Sequence, residues 1–346
     1  MIAVYVIVIL AVIVISAYAI WFYPRQIVSG DTIHALDVTT PNSDTCDYHN
    51  DVLHPCIRKY GDKYIMVQSP WYNYNDKIEN PLLYISNRHD EWLNAQEVAG
   101  TPETGYNSDP NVYYEDGTIY VLWREADTQL CKKLHCAYCL VGVTTKDGKT
   151  FTEKKVFAIN ESSTEETIMC PILMRYKDRY RIYATWYCLE HENKHNMGIA
   201  LWEGSSLNEP DFKLVKKVPV KPIYVCDKAK QWRINDRLFF IPRHHKFDLW
   251  HFDLFEYSGK LWMVAIEEME DNVMLAYSSD WEHFEFIRKP LVNAHVMESI
   301  VGYRQHYYKP TAFVENDILH LYYTANPARN SVANKLYYTE IEMNKL

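Results

Sequence analysis

The sequence predicts an all-β fold: a five-bladed β-propeller of four-stranded antiparallel blades, preceded by an N-terminal transmembrane helix. Three observations predict it. A fourteen-residue pattern with a polar turn at its middle occurs five times. A further β-rich run follows each copy. Ahead of the repeats, residues 2–23 run without a charge.

That first stretch, "IAVYVIVILAVIVISAYAIWFY", is long enough for a bilayer, which takes about 20 apolar residues. No Lys or Arg precedes it, as a cleavable signal would prefer, although "AYA" at Ala17–Ala19 resembles a cleavage site. Residues 1–23 are therefore a membrane anchor or a signal segment. Arg25 is the one nearby cation, so charge says little about orientation. The segment predicts a chain held by one helix, with its globular part outside the cytoplasm. Residues 24–50 form a linker, of which about 27–42 supply the strand that closes the ring.

The propeller occupies residues 51–346. The repeats are "HPCIRKYGDKYIMV", "DPNVYYEDGTIYVL", "CPILMRYKDRYRIY", "HFDLFEYSGKLWMV" and "KPTAFVENDILHLY", starting near 54, 109, 170, 251 and 309. Their centres carry hairpin-type turns such as "EDGT" and "YSGK". Four of the five have proline second, tolerable at a strand start. A third strand follows in "NPLLYISN", "YCLVGVTT", "MGIALWEG", "NVMLAYSS" and "NKLYYTEI". Stretches such as "KDGKTFTE" and "DWEHFEFI" read as a turn and an outer fourth strand. Short strands repeated at this period fit radial blades. The last blade has room for three strands after Lys309, so the outer one must come from the N-terminal side.

Composition narrows function. A net charge of −9 excludes a general nucleic-acid binder, which needs a basic footprint. Aromatic residues make up 14% of the chain, which suits strands and flat ligands such as sugar rings. Eight cysteines and an export-like segment permit disulfides. The cluster "CKKLHCAYC" is open to three readings: a zinc site, a local disulfide or free thiols.

In this register the first residues of the five units, His54, Asp109, Cys170, His251 and Lys309, ring the axis. Glu79, Trp71, Arg124, Glu125, Asp253, Glu267, Glu268, Tyr303 and Arg304 fall near the same strand ends. Trp71, Tyr72, Trp186 and Trp250 are candidates for stacking on sugars or for core packing. Paired carboxylates suit glycoside chemistry, one protonating the leaving oxygen and the other activating water or attacking carbon. Asp109, Glu125, Asp253 and Glu267 are the candidate catalytic residues. His54, Glu79, Trp71, Arg124, His251, Tyr303, Arg304 and Lys309 are the candidate substrate-binding set. No motif demands a cofactor or metal, but "PRHHKFDLWHFD" offers His244, His245, Asp248, His251 and Asp253 to an axial cation.

Over roughly residues 51–344 the chain resembles the five-bladed propeller glycosidases, arabinanase/xylosidase-like and invertase/levansucrase-like. The resemblance rests on the blade pattern, on "SDPNVYYEDGTIYVLWRE" at Ser108–Glu125, and on turns such as "TTKDGKTF". It implies carboxylates at the first strands of blades one and two, with an acid in or near blade three. Asp109 matches the blade-two position, that of a transition-state stabiliser or pKa modulator. His54 and Cys170 stand where blades one and three would carry carboxylates. Another acid then takes the part, or the chemistry differs. The basic groups at the axis suit an anionic sugar.

The leading expectation is a membrane-anchored glycoside hydrolase acting on a polysaccharide or oligosaccharide. Its alternatives are a carbohydrate-binding propeller without catalysis, and a lyase, phosphorylase or transferase working through the His/Arg/Lys-rich axis. Fold alone does not choose among them.

Overall fold

A computed structural model describes residues 2–22, 26–39, 51–71, 79–101, 106–160, 166–188, 196–220, 224–234, 237–267, 272–303, 305–326 and 333–346. Side chains are not described at 2–3, 15–22, 166, 188, 196–197, 224–234, 237–246, 295 and 299. Helix α1 (Ile2–Phe22) opens the chain. Its large apolar residues from Val4 to Val14 are 49–68% exposed. The expected membrane-crossing helix is not found as such: among the described residues no helix is long and apolar enough to cross a membrane. Residues 4–14, whose side chains are described, rise only about 16 Å.

The rest is β-structure. Strand β1 (His34–Leu36) comes first in the chain and is used last. Blade one is β2 (Cys56–Tyr60), β3 (Lys63–Gln68), β4 (Leu82–Ser86) and β5 (Gln96–Glu97). Blade two is β6 (Tyr106–Glu115), β7 (Thr118–Ala126), β8 (Tyr138–Thr145) and β9 (Lys155–Ile159), with α2 (Gln129–Leu134) between β7 and β8. Blade three is β10 (Glu166–Tyr176), β11 (Arg179–Cys188), β12 (Asn196–Gly204) and β13 (Lys213–Pro219). A separate hairpin of β14 (Tyr224–Ile234) and β15 (Arg237–Lys246) follows. Blade four is β16 (Leu249–Tyr257), β17 (Lys260–Glu267), β18 (Asn272–Ser278) and β19 (Glu285–Phe286). There β18 also pairs with β20 (Val292–Asn293), which leads into α3 (Ala294–Val301). Blade five is β21 (Tyr307–Glu315), β22 (Ile318–Ala325) and β23 (Lys335–Glu342), and β1 pairs antiparallel with β23 to complete it. The predicted all-β, five-bladed architecture of four-stranded antiparallel blades is borne out.

The turns explain the fixed length of the repeat. At Asp116–Gly117, Ser258–Gly259 and Asn316–Asp317 both central residues have positive φ, the geometry that matches the twist of two paired strands. Every blade is covered on both faces. One apolar cluster fills each gap between neighbours, as where Ile65, Val67 and Leu83 of blade one meet Val121, Trp123 and Val141 of blade two. Leu36, Tyr322 and Leu336 meet Ile57 and Met66 at the closure between blades five and one.

A second device joins the innermost strands around the ring. Asn111 Nδ2 donates to Cys56 Sγ (3.1 Å), and Leu173 N donates to Asn111 Oδ1 (3.0 Å). Cys170 Sγ donates to Phe252 O (2.9 Å). Thr311 Oγ1 donates to Asp253 Oδ2 (2.5 Å) and accepts from Ile57 N (3.0 Å). These bonds run from blade one through every blade and back, tying the strands below the axial mouth.

Asp51 fastens the closure further, accepting from Asn334 N (2.8 Å) and Trp71 N (2.5 Å). Burial pushes its carboxyl up to about 6. The folded state therefore holds a proton that the unfolded chain releases near the ordinary value of 3.8. Stability falls as pH rises from about 4 to about 6 and is level above that. Denaturant titrations across that window should show the wild type losing up to about 3 kcal/mol relative to Asp51→Asn, which cannot ionise. Parallel curves for the two proteins would refute this.

Candidate functional site

The inner strands of blades two to five share an irregularity. Their register shifts between Ser108 and Asn111, Met169 and Ile172, Leu249 and Phe252, and Tyr307 and Pro310. Each shift falls at the start of a fourteen-residue unit. Asp109 and Cys170 sit in these bulges with φ of 55° and 57°, an uncommon conformation for residues with a Cβ. A bulge re-aims side chains, and here it turns them to the axis.

The result is a small, partly open cavity of about 140 Å³ lined by His54, Trp71, Glu79, Asp109, Arg124, His251 and Tyr308, among others. A liquid water occupies about 30 Å³, so the space takes a few waters or one small polar group. Asp109 is its centre. Its Oδ1 lies 3.0 Å from His251 Nε2 and 3.3 Å from His54 Nε2. Its Oδ2 is 3.3 Å from Arg124 Nε. Burial alone would raise this carboxyl, but His54, Arg124 and His251 outweigh it and hold it well below the usual range. Burial lowers His54 to about 3 and His251 to about 4, so both rings are neutral near pH 7.

The ring of His54 is oriented from behind. Its Nδ1 faces Ser69 Oγ at 3.0 Å and Glu79 Oε1 at 3.2 Å. These oxygens assign the proton to Nδ1. A neutral ring then turns the Nε2 lone pair towards Asp109 Oδ1. Two acceptors face each other, a conflict that a cation between them relieves. His54, Asp109 and His251 each bring a donor atom within 4.8 Å of the others. Donors bound at about 2.1 Å to one tetrahedral metal ion stand about 3.4 Å apart, against 3.3 Å and 3.0 Å for the two imidazole–carboxylate pairs here.

Tyr308 lines the cavity against both imidazoles. Its ring centre is 5.1 Å from that of His54 and 4.9 Å from that of His251. Trp71 stands 6.4 Å beyond it.

Several candidate residues lie elsewhere. Glu125 follows Arg124 on β7 and so points to the opposite face. There it pairs with Lys154 and accepts from Thr128 Oγ1 (3.0 Å), wholly buried. Asp253 is held one layer below the cavity by Arg58 Nη1 (2.7 Å) and Nη2 (2.5 Å). Glu267 accepts from Asn272 Nδ2 (2.5 Å) beside Asn293. None of these three lines the cavity. Tyr303 instead donates to Asn326 O (3.3 Å). Lys309 is fully buried and donates to Pro110 O (3.2 Å). Burial pushes the Cys170 thiol up to about 12. Arg304, Glu268 and Tyr72 lie outside the described residues, as do the side chains of His244 and His245. Of the histidine-rich segment only His251, among the described residues, joins the cluster.

Sequence reading missed Tyr308 and Ser69. Strict alternation puts Tyr308 on the face opposite Lys309, and the bulge between Tyr307 and Pro310 breaks that alternation.

No family model matches the sequence, and no curated protein matches it. Solved structures do. An N-acetylgalactosamine deacetylase from F. plautii, in complex with blood group B trisaccharide, aligns with a TM-score of 0.66 at 13% identity, covering 90% of this chain and 94% of that one. A thermostable family-43 glycoside hydrolase aligns at 0.59 and 12% identity over 88% and 92%. An endo-arabinase from Bacteroides thetaiotaomicron aligns at 0.53 and 14% identity over 88% and 97%. At such identities the likeness is one of fold: this chain has the five-bladed propeller architecture shared by family-43 glycoside hydrolases, an arabinase and a sugar deacetylase.

Proposed function

We propose that the chain is a carbohydrate-active hydrolase that removes an acyl substituent from a sugar, with a divalent cation at His54, Asp109 and His251. The observation that carries this is the donor set itself: two imidazole nitrogens and one carboxylate oxygen, all from buried residues, converging at a small, partly open cavity. Such a cation would act as a Lewis acid on a carbonyl oxygen. Of the two carboxylates at the cavity, Asp109 is engaged by two imidazoles and a guanidinium, which leaves no ordinary acid–base pair for glycoside cleavage.

The chain's own groups would divide the work. Trp71 and Tyr308 offer faces to a sugar ring. Arg124 would orient the acyl oxygen. Water adds to the carbonyl carbon, the carbon–nitrogen or carbon–oxygen bond breaks, and acetate leaves. Glu79 would take the water's proton and return it to the departing nitrogen or oxygen. The likeness to a deacetylase supports this reading, and the likeness to family-43 hydrolases favours a second, glycoside hydrolysis. The apolar side chains exposed along α1 support attachment to a membrane.

The purified chain, stripped with a chelator and resupplied with Zn²⁺, Mn²⁺ or Mg²⁺, would be offered N- and O-acetylated sugars and, separately, neutral and acidic polysaccharides. Metal-dependent acetate release is expected. New reducing ends, indifferent to the chelator, would replace this proposal with the glycosidase reading. Recovery of the full-length chain away from membranes in cell fractionation would overturn the attachment.

A further inference from the structure

The sequence run Cys131–Cys139 takes no part in the axial cavity. After β7 the chain leaves blade two, caps α2 with Thr128, whose Oγ1 accepts from Cys131 N (3.2 Å), and turns back at His135. His135 adopts a left-handed conformation at φ 54°, and Cys136 N then bonds Cys131 O at 3.1 Å. The reversal returns Cys136 beside Cys131, while β8 brings in Cys139. Cys131 and Cys139 are buried and Cys136 is half-buried.

We infer that Cys131, Cys136 and Cys139 bind one soft, d¹⁰ metal ion, such as Zn²⁺, through three thiolates, with the fourth position open towards solvent beside Cys136. The three sulfurs lie within 4.8 Å of one another, and Cys131 Sγ is 3.6 Å from Cys139 Sγ. Sulfurs about 2.3 Å from a tetrahedral ion stand about 3.8 Å apart. A disulfide would bond two of the three at about 2.05 Å and give the third no reason to converge. Glu125 does not fill the fourth position, because its carboxylate is taken by Lys154 and Thr128. Binding is redox-neutral: three thiol protons pass to solvent as three metal–sulfur bonds form. The ion would staple the excursion between β7 and β8, which packs Leu130 and Leu134 against the apolar cluster between blades one and two.

Cobalt(II) titration of the full-length chain, purified under reducing conditions without oxygen, tests this. The expected result is one equivalent giving a near-ultraviolet thiolate-to-cobalt charge-transfer band and the strong visible bands of a tetrahedral site. Cys139→Ser should abolish the charge-transfer band. Cys136→Ser, at the half-buried position, tests the site with less risk to folding. It should weaken binding by more than the ~10–100-fold that loss of an outer-shell partner costs. His251→Ala should leave the band intact, since the axial donors carry no sulfur. Three freely alkylated thiols with no band would overturn the inference. So would a species two hydrogens lighter that holds a disulfide within the cluster under the same conditions.

Discussion

Asp109→Asn is expected to lower kcat/KM for acetate release about a thousandfold while the chain stays folded. The carboxylate is the one anionic member of the donor set, and it sits between two neutral imidazoles and the Arg124 guanidinium. The amide keeps its size and one acceptor oxygen. It withdraws the charge that would hold a cation, and it can set an N–H₂ against His54 or His251. Two readouts separate a metal role from a merely structural one. Metal retained after dialysis should fall together with activity, and excess Mn²⁺ or Zn²⁺ should restore part of the rate. Thermal unfolding should shift far less than activity, because the bonds joining the inner strands run through Asn111, Asp253 and Thr311. A variant that binds the cation normally and yet is inactive would make Asp109 a group acting on substrate directly. A fully active variant would remove the axial site from the chemistry.

The fold was legible because it is periodic. Five hairpins of equal length, each with a turn able to take positive φ, dictate blades, and the shortage of strands after Lys309 demands an outer strand from elsewhere. The contents of the axis were half legible. His54, Asp109 and His251 share the first position of their units, so a correct register brings them together. Glu125, Asp253 and Glu267 were drawn from the same strand ends by proximity in sequence, which does not report the face of the strand. Glu125 is lost to alternation, since Arg124 takes the inward face. Tyr308 escaped because a bulge suspends alternation where it stands, and nothing in the local sequence announces the extra residue. Ser69 and Glu79 support His54 from the far end of another strand and from a loop, a relation that spacing does not encode.

Asp253→Ala is expected to cost about 3–5 kcal/mol of folding stability, and to do so without acting on the reaction. Asp253 shares its strand face with His251, which made it a candidate for catalysis. Two residues along the strand is also one layer deeper. There its carboxylate receives both terminal nitrogens of Arg58, the Thr311 hydroxyl, and the backbone N–H of Leu254 (2.8 Å) and Ala312 (3.3 Å). Every oxygen lone pair has an assignment, and none is left for substrate. These partners come from blades one, four and five. Truncation leaves the largely buried Arg58 without its counter-charge and opens the strand-to-strand ties at two blade boundaries at once. A domain of ordinary stability, about 5–15 kcal/mol, loses a large share of its margin. The paired replacement Arg58→Met with Asp253→Leu should recover much of the loss, because it removes both charges together and no ion stays buried alone. Calorimetric unfolding of the three proteins, beside kcat and KM measured well below each transition, decides the matter. Unchanged KM and near-normal kcat in the folded fraction would fix Asp253 as a structural tie of the propeller. A fall in kcat matching that of Asp109→Asn would return it to the active site.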